Sequence, residues 1–327
     1  MTTDPQSDPP SADAVDFRAS KAGRKQSWFG LKRHVKRFMS FPVPNAALRA
    51  AARFIPSLGR GRLPAPASVH EVTARVDGIT FVMLDPSRCE VAKELYWGRG
   101  TMPRPQDAFA LEVVTRLSRT ADVLLDVGAY TGVFALAGAA ANPKLRVHAF
   151  EIIPQVAAAL EANLRRNGVA DRVQVHLEGL GEEGRTMRVP TGEGGSALPS
   201  FYSSRMHFDE GVEIPFHSLD SFIDMLGDAR RVVMKIDVEG TEDALFRDGQ
   251  RFLERFHPDM LCEVLDGVAD PRVLETLLSP HGYRFYAVRE RAAIARDHIR
   301  PDPAFRDWLF STQGHDGLQA SGVLAQS

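Results

Sequence analysis

The sequence predicts an α/β fold: an open, doubly wound, mostly parallel sheet covered by helices on both faces. Three observations point there. Five short β-rich runs, VLLDV (123–127), RVHAF (146–150), VQVHL (173–177), VVMKI (232–236) and MLCEV (260–264), alternate with helical patterns over 132–141, 154–167, 219–226 and 241–256. Several of these runs are almost continuously apolar, as strands are when helices cover both faces of their sheet. The unusual polar residues follow the strands directly. Ligands bind there in such sheets, beyond the carboxyl ends and at the switch point of strand order.

Ahead of the sheet, residues 1–17 carry too little apolar content to offset the entropy of ordering and read as a disordered tail. Residues 18–68 form a basic arm: between Arg18 and Arg62 there are twelve Lys and Arg and no Asp or Glu. The net charge of the whole chain is −2, so the arm offsets a strongly acidic remainder. Within it, Trp28, Leu31, Val35, Phe38 and Met39 recur at helical spacing between Lys32, Arg33, Lys36 and Arg37, the pattern of a basic amphipathic helix. Such a helix suits an anionic membrane surface or a polyanionic partner, and equally a place on its own domain with the basic face in solvent.

Residues 69–118 read as an extension made of a hairpin and helices. VHEVTARV and ITFVMLD are period-2 runs separated by Asp77-Gly78, the pair favoured in a two-residue type I′ turn. A helix over 105–118 then presents Phe109, Leu111, Val113, Val114 and Leu117 ahead of the first core strand. The sheet domain is assigned to 119–312 and a C-terminal tail to 313–327.

Composition narrows the function classes. With 327 residues, 44% hydrophobic and 25% charged, the chain has material for one large domain with appendages. A net charge of −2 argues against a dedicated nucleic-acid binder, which carries surplus cations to neutralise phosphates. Cys89 and Cys262 stand in no metal-type or CxxC spacing, so neither a disulfide scaffold nor a zinc module is expected. No apolar stretch has the length of a membrane span, and the acidic, Pro/Ser-rich start lacks the features of a secretory signal. A cytoplasmic setting is expected, with the arm at residues 18–62 a candidate for peripheral contact with the inner face of the membrane.

Three groups of residues could carry chemistry. DVGAYTGVF, Asp126 to Phe134, follows the first core strand and opens a helix; Gly128 and Gly132 let the chain turn tightly and let a ligand approach the backbone. Its G-x-x-x-G spacing lacks the third glycine of the dinucleotide fingerprint, which weakens a nicotinamide reading. Glu151 ends the next strand, where a carboxylate can accept both hydroxyls of a ribose. VVMKIDVEGTEDALF crowds Lys235, Asp237, Glu239, Gly240 and Glu242 at the end of the fourth strand. Converging carboxylates repel, so that cluster calls for a cation, a sulfonium, a metal or Lys235 beside it. The Gly/Ser-rich stretch 191–208 is long enough to be a lid or a substrate contact, with Tyr202, Arg205 and His207 as candidates to meet an acceptor. No His spacing of metal-ligand type occurs, at His298 or elsewhere, and no metal is predicted.

Together these pieces resemble the FkbM family of S-adenosyl-L-methionine-dependent methyltransferases. The resemblance is carried by DVGAYTG (126–132), AFE (149–151), LEANLRRNG (160–168), SLD (218–220), KIDVEGTE (235–242) and Glu263 in LCEV. It covers roughly residues 93–265, with WLF at 308–310 looking like the family's last strand. Two positions depart from the family's habit: Tyr130, where Asn is usual, and Ile152, where Pro is usual. The resemblance implies a class I, Rossmann-like methyltransferase with a seven-stranded sheet, transferring a methyl group to a hydroxyl of a sugar, glycolipid, polysaccharide or polyketide-type acceptor. It implies S-adenosyl-L-methionine as cofactor, with Asp126, Gly128, Tyr130, Gly132, Glu151, Leu180 and Asp237 in its site, and with Glu178 beside Leu180 near the adenine. In-line displacement at a sulfonium methyl carbon needs an aligned hydroxyl and an acceptor for its proton. Asp237 is the first choice for that group, Glu239, Glu263 and His217 are alternatives, and Lys235 orients the carboxylates. The competing readings are a nicotinamide-dependent oxidoreductase and a non-catalytic cofactor-binding protein docking through its basic arm.

Overall fold

The computed structural model describes residues 41–51, 63–191, 208–238, 240–268 and 270–324. The tail at 1–17, the amphipathic pattern at 28–39, the stretch holding Tyr202, Arg205 and His207, and Glu239 lie outside the described residues.

The chain enters through helix α1 (Pro42–Ala51) and the antiparallel hairpin β1 (Glu71–Val76) and β2 (Ile79–Leu84). Asp77 and Gly78 both have positive φ, 43° and 81°, and Val76 pairs with Ile79, as a two-residue type I′ turn requires. A Cβ at Gly78 would meet nothing within 4 Å, so Gly78→Ala tests backbone conformation alone. It is expected to cost about 1 kcal/mol of stability in a urea titration, through the left-handed φ that alanine resists.

Helices α2 (Glu90–Trp97) and α3 (Pro105–Ser118) lead to β3 (Val123–Val127), and strands and helices then alternate. They are α4 (Val133–Ala141), β4 (Arg146–Phe150), α5 (Pro154–Arg166), β5 (Val173–His176), and, further on, β9 (Val232–Ile236) and β10 (Asp259–Glu263). The sheet closes with β11 (Arg284–Val288), β12 (Ala293–Arg296) and β13 (Asp307–Ser311). Its order is β12-β11-β13-β10-β9-β3-β4-β5. The strands from β10 through β5 are parallel, and β13 runs antiparallel between β10 and β11. This is the doubly wound sheet expected of a class I methyltransferase, with WLF at 308–310 in its last strand. The short β12 adds an eighth strand outside the expected seven.

Alternation along buried strands divides the core. Leu124 and Val233 face α3, α4 and the hairpin, while Val123, Leu125, Val127, Met234 and Ile236 face the helices that follow β8 and β9. The strand order reverses at β3, which has β4 on one side and β9 on the other, so the carboxyl ends of these strands border the switch-point crevice.

Two local expectations change. The helical pattern at 241–256 is two helices, α7 (Glu242–Arg247) and α8 (Gln250–Phe256). At Gly249 a Cβ would lie 2.9 Å from Leu219 Cβ, and Phe252 N–H donates to Asp220 Oδ1 at 2.8 Å. A carboxylate from another segment thus takes an N–H of the second helix's first turn and lets it start afresh. The pattern at 219–226 begins as a 3₁₀ turn, Leu219–Phe222, before one α-turn, Ile223–Leu226. Between β5 and that turn lies a small sheet that the sequence did not announce, β6 (Gly179–Leu180), β8 (Val212–His217) and β7 (Thr186–Val189) in that order. Among the described residues, no helix is long and apolar enough to cross a membrane.

Candidate active site

The glycine loop is built from three left-handed residues, Gly128 (φ 75°), Tyr130 (φ 50°) and Gly132 (φ 87°). A Cβ on Gly128 would lie 2.0 Å from the carbonyl oxygen of Asp237, and one on Gly132 would lie 2.2 Å from Leu160 Cδ1. Asp237 N–H donates to Val127 O at 3.0 Å. The first and third sequence motifs therefore meet backbone to backbone. Tyr130, standing where the family usually has Asn, receives Glu90 N–H on its hydroxyl at 3.4 Å and packs its ring toward Ile153 and Phe216.

Asp126 is fully buried at the foot of this loop. Its Oδ2 accepts Ala135 N–H at 2.9 Å, an acceptor for the open N-terminus of α4, while Oδ1 has no hydrogen-bond partner. Burial pushes its pKa up to about 7 against the opposing pull of Lys235. Glu151, also buried, accepts from Tyr130 N–H at 2.9 Å and Ile153 N–H at 2.8 Å. Burial pushes it up to about 7 despite these donors.

Lys235 interrupts the apolar run of β9 on the α4 side, only 3% exposed. Its ammonium donates to Ile236 O at 3.1 Å, stands 3.6 Å from Asp237 Oδ2 and lies 5.3 Å from the centre of the Phe134 ring. Burial would lower its pKa, but the carboxylates of Asp237, Asp307 and Glu263 outweigh that and hold it above the ordinary lysine value. Glu263, at the end of β10, pairs across strands with Asp307 and is held by Arg306 Nη1 at 2.9 Å. Burial first, then the charge of Asp237, raises its pKa, and its carboxyl group shares a hydrogen bond with that of Asp237. Asp307 is pushed up to about 6 by burial, against Lys235.

The expected cluster is thus partly regrouped. Lys235 and Asp237 meet, and Glu263, singled out only through the family resemblance, joins them. Glu242 turns away to accept Gly240 N–H at 3.2 Å, at the start of α7, with Oε2 unpartnered. Asp307 and Arg306 take a place that sequence reasoning did not assign. Leu180 is buried in β6, next to His217 on β8. His217 sits between Glu178 (3.5 Å) and Glu183 (3.2 Å), which stand in the chain on either side of β6. Among the described residues no group of three or more His, Cys, Asp or Glu could hold a metal ion.

Asn163 and Asn167 in LEANLRRNG also acquire a role. They bond the backbone of β2, Leu84 N–H to Asn163 Oδ1 and Val82 N–H to Asn167 Oδ1, both at 2.8 Å, while Asn163 Nδ2 donates to Thr131 O at 2.9 Å. Side-chain amides thereby satisfy the free edge of the hairpin and tie it to the glycine loop.

Residues 126–285, which hold the glycine loop, Glu151 and the strand ends bearing Lys235, Asp237 and Glu263, match the methyltransferase FkbM domain. This chain carries a methyltransferase FkbM domain over that stretch. The FkbM methyltransferase of Methylobacillus flagellatus KT has a similar structure, with 22% sequence identity and a TM-score of 0.38 over 58% of this chain and 43% of that one. A SAM-dependent methyltransferase from Agrobacterium tumefaciens is similar over 77% of this chain and 73% of its own, with 12% identity and a TM-score of 0.43. A ribosomal protein L11 methyltransferase of Alteromonas mediterranea is 35% identical over 96 residues. That match covers 29% of this chain, which spans 30% of the length of that relative.

Proposed function

We propose that this chain, through its FkbM domain, is an S-adenosylmethionine-dependent O-methyltransferase acting on a hydroxyl of a sugar, glycolipid, polysaccharide or polyketide-type acceptor. The reading is carried by the contact of the glycine loop with the strand end bearing Asp237. A ligand cradled by the loop backbone would have its reactive end beside a cluster of carboxylates. The residues fit the cofactor: a loop in which Cβ atoms at Gly128 and Gly132 have no room, a buried Glu151 able to accept from a diol, and the unpartnered Asp126 Oδ1. When bound, it supplies an electrophilic methyl carbon on a sulfonium.

The chain's own residues do the rest. Asp237, half-exposed at the crevice, accepts the proton of the acceptor hydroxyl as its oxygen attacks. Lys235 at 3.6 Å orients that carboxylate, and the carboxyl group of Glu263 shares a hydrogen bond with it. The carboxylates favour a nearby cation more strongly in a partly dry crevice than in water. Incubation with methyl-labelled cofactor and separate polysaccharide, glycolipid, polyketide and peptide acceptors tests the assignment. Label recovered as a base-stable methyl ether supports it; label found only in methyl esters or on nitrogen refutes O-methylation of a hydroxyl.

Glu151 makes cofactor affinity depend on pH. An ionised carboxylate accepts from both ribose hydroxyls, whereas a protonated one loses part of that capacity. Its pKa in the fold, about 7, lies above the ordinary 4.5, so the protonated fraction disappears as pH rises through about 7. Affinity for S-adenosylhomocysteine is expected to rise from about pH 6 to about pH 8 and then level off. Glu151→Gln should bind more weakly and lose most of that rise, as calorimetry across the range would show.

The arm at residues 18–62 is assigned to peripheral contact with anionic membrane, on the strength of its twelve cations and no acid. Binding to phosphatidylserine-containing vesicles should weaken as salt is raised. Undiminished binding by a chain starting at residue 68 would remove that role.

A further inference from the structure

Beyond the glycine loop and the carboxylate cluster, a chain of polar side chains crosses the interior below the β4 and β5 ends. His148 Nδ1 lies 3.1 Å from His176 Nε2, and His176 Nδ1 lies 3.0 Å from Glu178 Oε1. Glu178 Oε2 faces His217 Nε2 at 3.5 Å, and Glu183, 3.2 Å from His217 Nδ1, accepts Ser218 N–H at 2.7 Å. An ionised Glu178 only accepts, so His176 Nδ1 carries the hydrogen. The neutral ring then accepts at Nε2 from His148 Nδ1–H. The two links from His148 through His176 to Glu178 then have one proton and one direction each. Burial keeps the two imidazoles neutral, lowering His148 to about 4 and His176 below its ordinary value.

The His176 ring is fixed by more than these bonds. It stacks on Phe150 with centroids 4.5 Å apart and planes 14° apart, and meets Phe222 edge-on at 5.9 Å. Its carbonyl accepts Glu151 N–H at 3.0 Å. His176 thus touches both Phe150, which precedes Glu151, and Glu178, two residues past the end of β5, and it joins two neighbouring strand ends at the crevice.

We infer that His176 is a positioning residue: backed by His148, it aims Glu178 as a hydrogen-bond acceptor toward the base of a nucleoside whose ribose is held at Glu151. This rests on the reading of the crevice as the cofactor site. The strand ends run in the order Gly128 loop, Glu151, Glu178 across β3, β4 and β5, so a nucleoside bound by its diol at the middle position extends its base to the third. Each Glu178 oxygen keeps a second lone pair after meeting its histidine, enough to accept from an exocyclic amine.

The test compares calorimetric affinities for S-adenosylhomocysteine and for its hypoxanthine analogue, in which a carbonyl replaces the amine. The unaltered chain should prefer the adenine form by about tenfold or more, the worth of a hydrogen bond to a charged group. His176→Phe should bring the two affinities together, and so should Glu178→Gln, a change on a partly exposed turn that leaves the buried histidines in place. His176→Asn, whose amide N–H stands in for Nδ1–H, should restore most of the preference. A proportional loss for both ligands in His176→Phe, or an unchanged preference in Glu178→Gln, would overturn the inference while leaving the cofactor assignment standing. If the unaltered chain binds neither ligand, the cofactor assignment itself fails and takes this inference with it.

Discussion

Replacing Asp237 by asparagine is expected to slow methyl transfer by about 10²–10⁴-fold, the range that a positioned proton acceptor contributes, with the fold retained. The side chain is only half-buried and Asn keeps its shape, so no cavity opens. What is lost is a carboxylate 3.6 Å from Lys235 that shares a hydrogen bond with Glu263. Removing that charge also relieves the upward push on Glu263, while Lys235 keeps the charge of Asp307 nearby. Single-turnover kinetics with saturating cofactor would isolate the chemical step. A rate within threefold or so of the unaltered enzyme would show that the proton goes elsewhere.

Gly128→Ala should act on binding and stability together. The residue holds φ at 75°, and its new methyl would lie 2.0 Å from the Asp237 carbonyl oxygen, a backbone atom that cannot swing aside. Left-handed strain of about 1–2 kcal/mol and overpacking of about 1–3 kcal/mol combine, because relieving the contact means separating the ends of β3 and β9. The expected outcome is a loss of about 2–5 kcal/mol in denaturant titration, with S-adenosylhomocysteine binding too weak to detect. Gly168→Ala is the control for backbone strain: φ is 65° there, but nothing lies within 4 Å of the added carbon. It should cost about 1 kcal/mol and leave binding unchanged.

The parts of this site that the sequence shows are those encoded locally. A strand run, two glycines spaced for a tight turn and a carboxylate at the next strand end are all written in consecutive residues, and the structure places Asp126, Gly128, Gly132 and Glu151 together. The hairpin is equally local, because Asp77-Gly78 specifies its own turn. What the sequence hides depends on register between distant strands. Asp307 joins Glu263 only because β13 inserts antiparallel beside β10, a pairing across 44 residues. The histidine chain was in view as the polar members of RVHAF and VQVHL, but a His in a buried strand has no meaning until the neighbouring strand sets a second one 3.1 Å away. The break at Gly249 needed Asp220, from another segment, to bond Phe252 N–H. Asn163 and Asn167 carried a signal that could have been read: two amides one turn apart, on the last turn of α5 and at its C-cap, suited to a strand edge.

The acceptor stays a matter of surface chemistry carried by loops on a widely shared scaffold, whereas the cofactor assignment rests on the crevice itself. Titrating the purified chain with S-adenosylhomocysteine, and separately with NADH, in a calorimeter addresses that assignment most directly. Micromolar binding of S-adenosylhomocysteine, with no heat from NADH, is the result expected from the Gly128 loop, Glu151 and Asp237. Binding of NADH alone would contradict it.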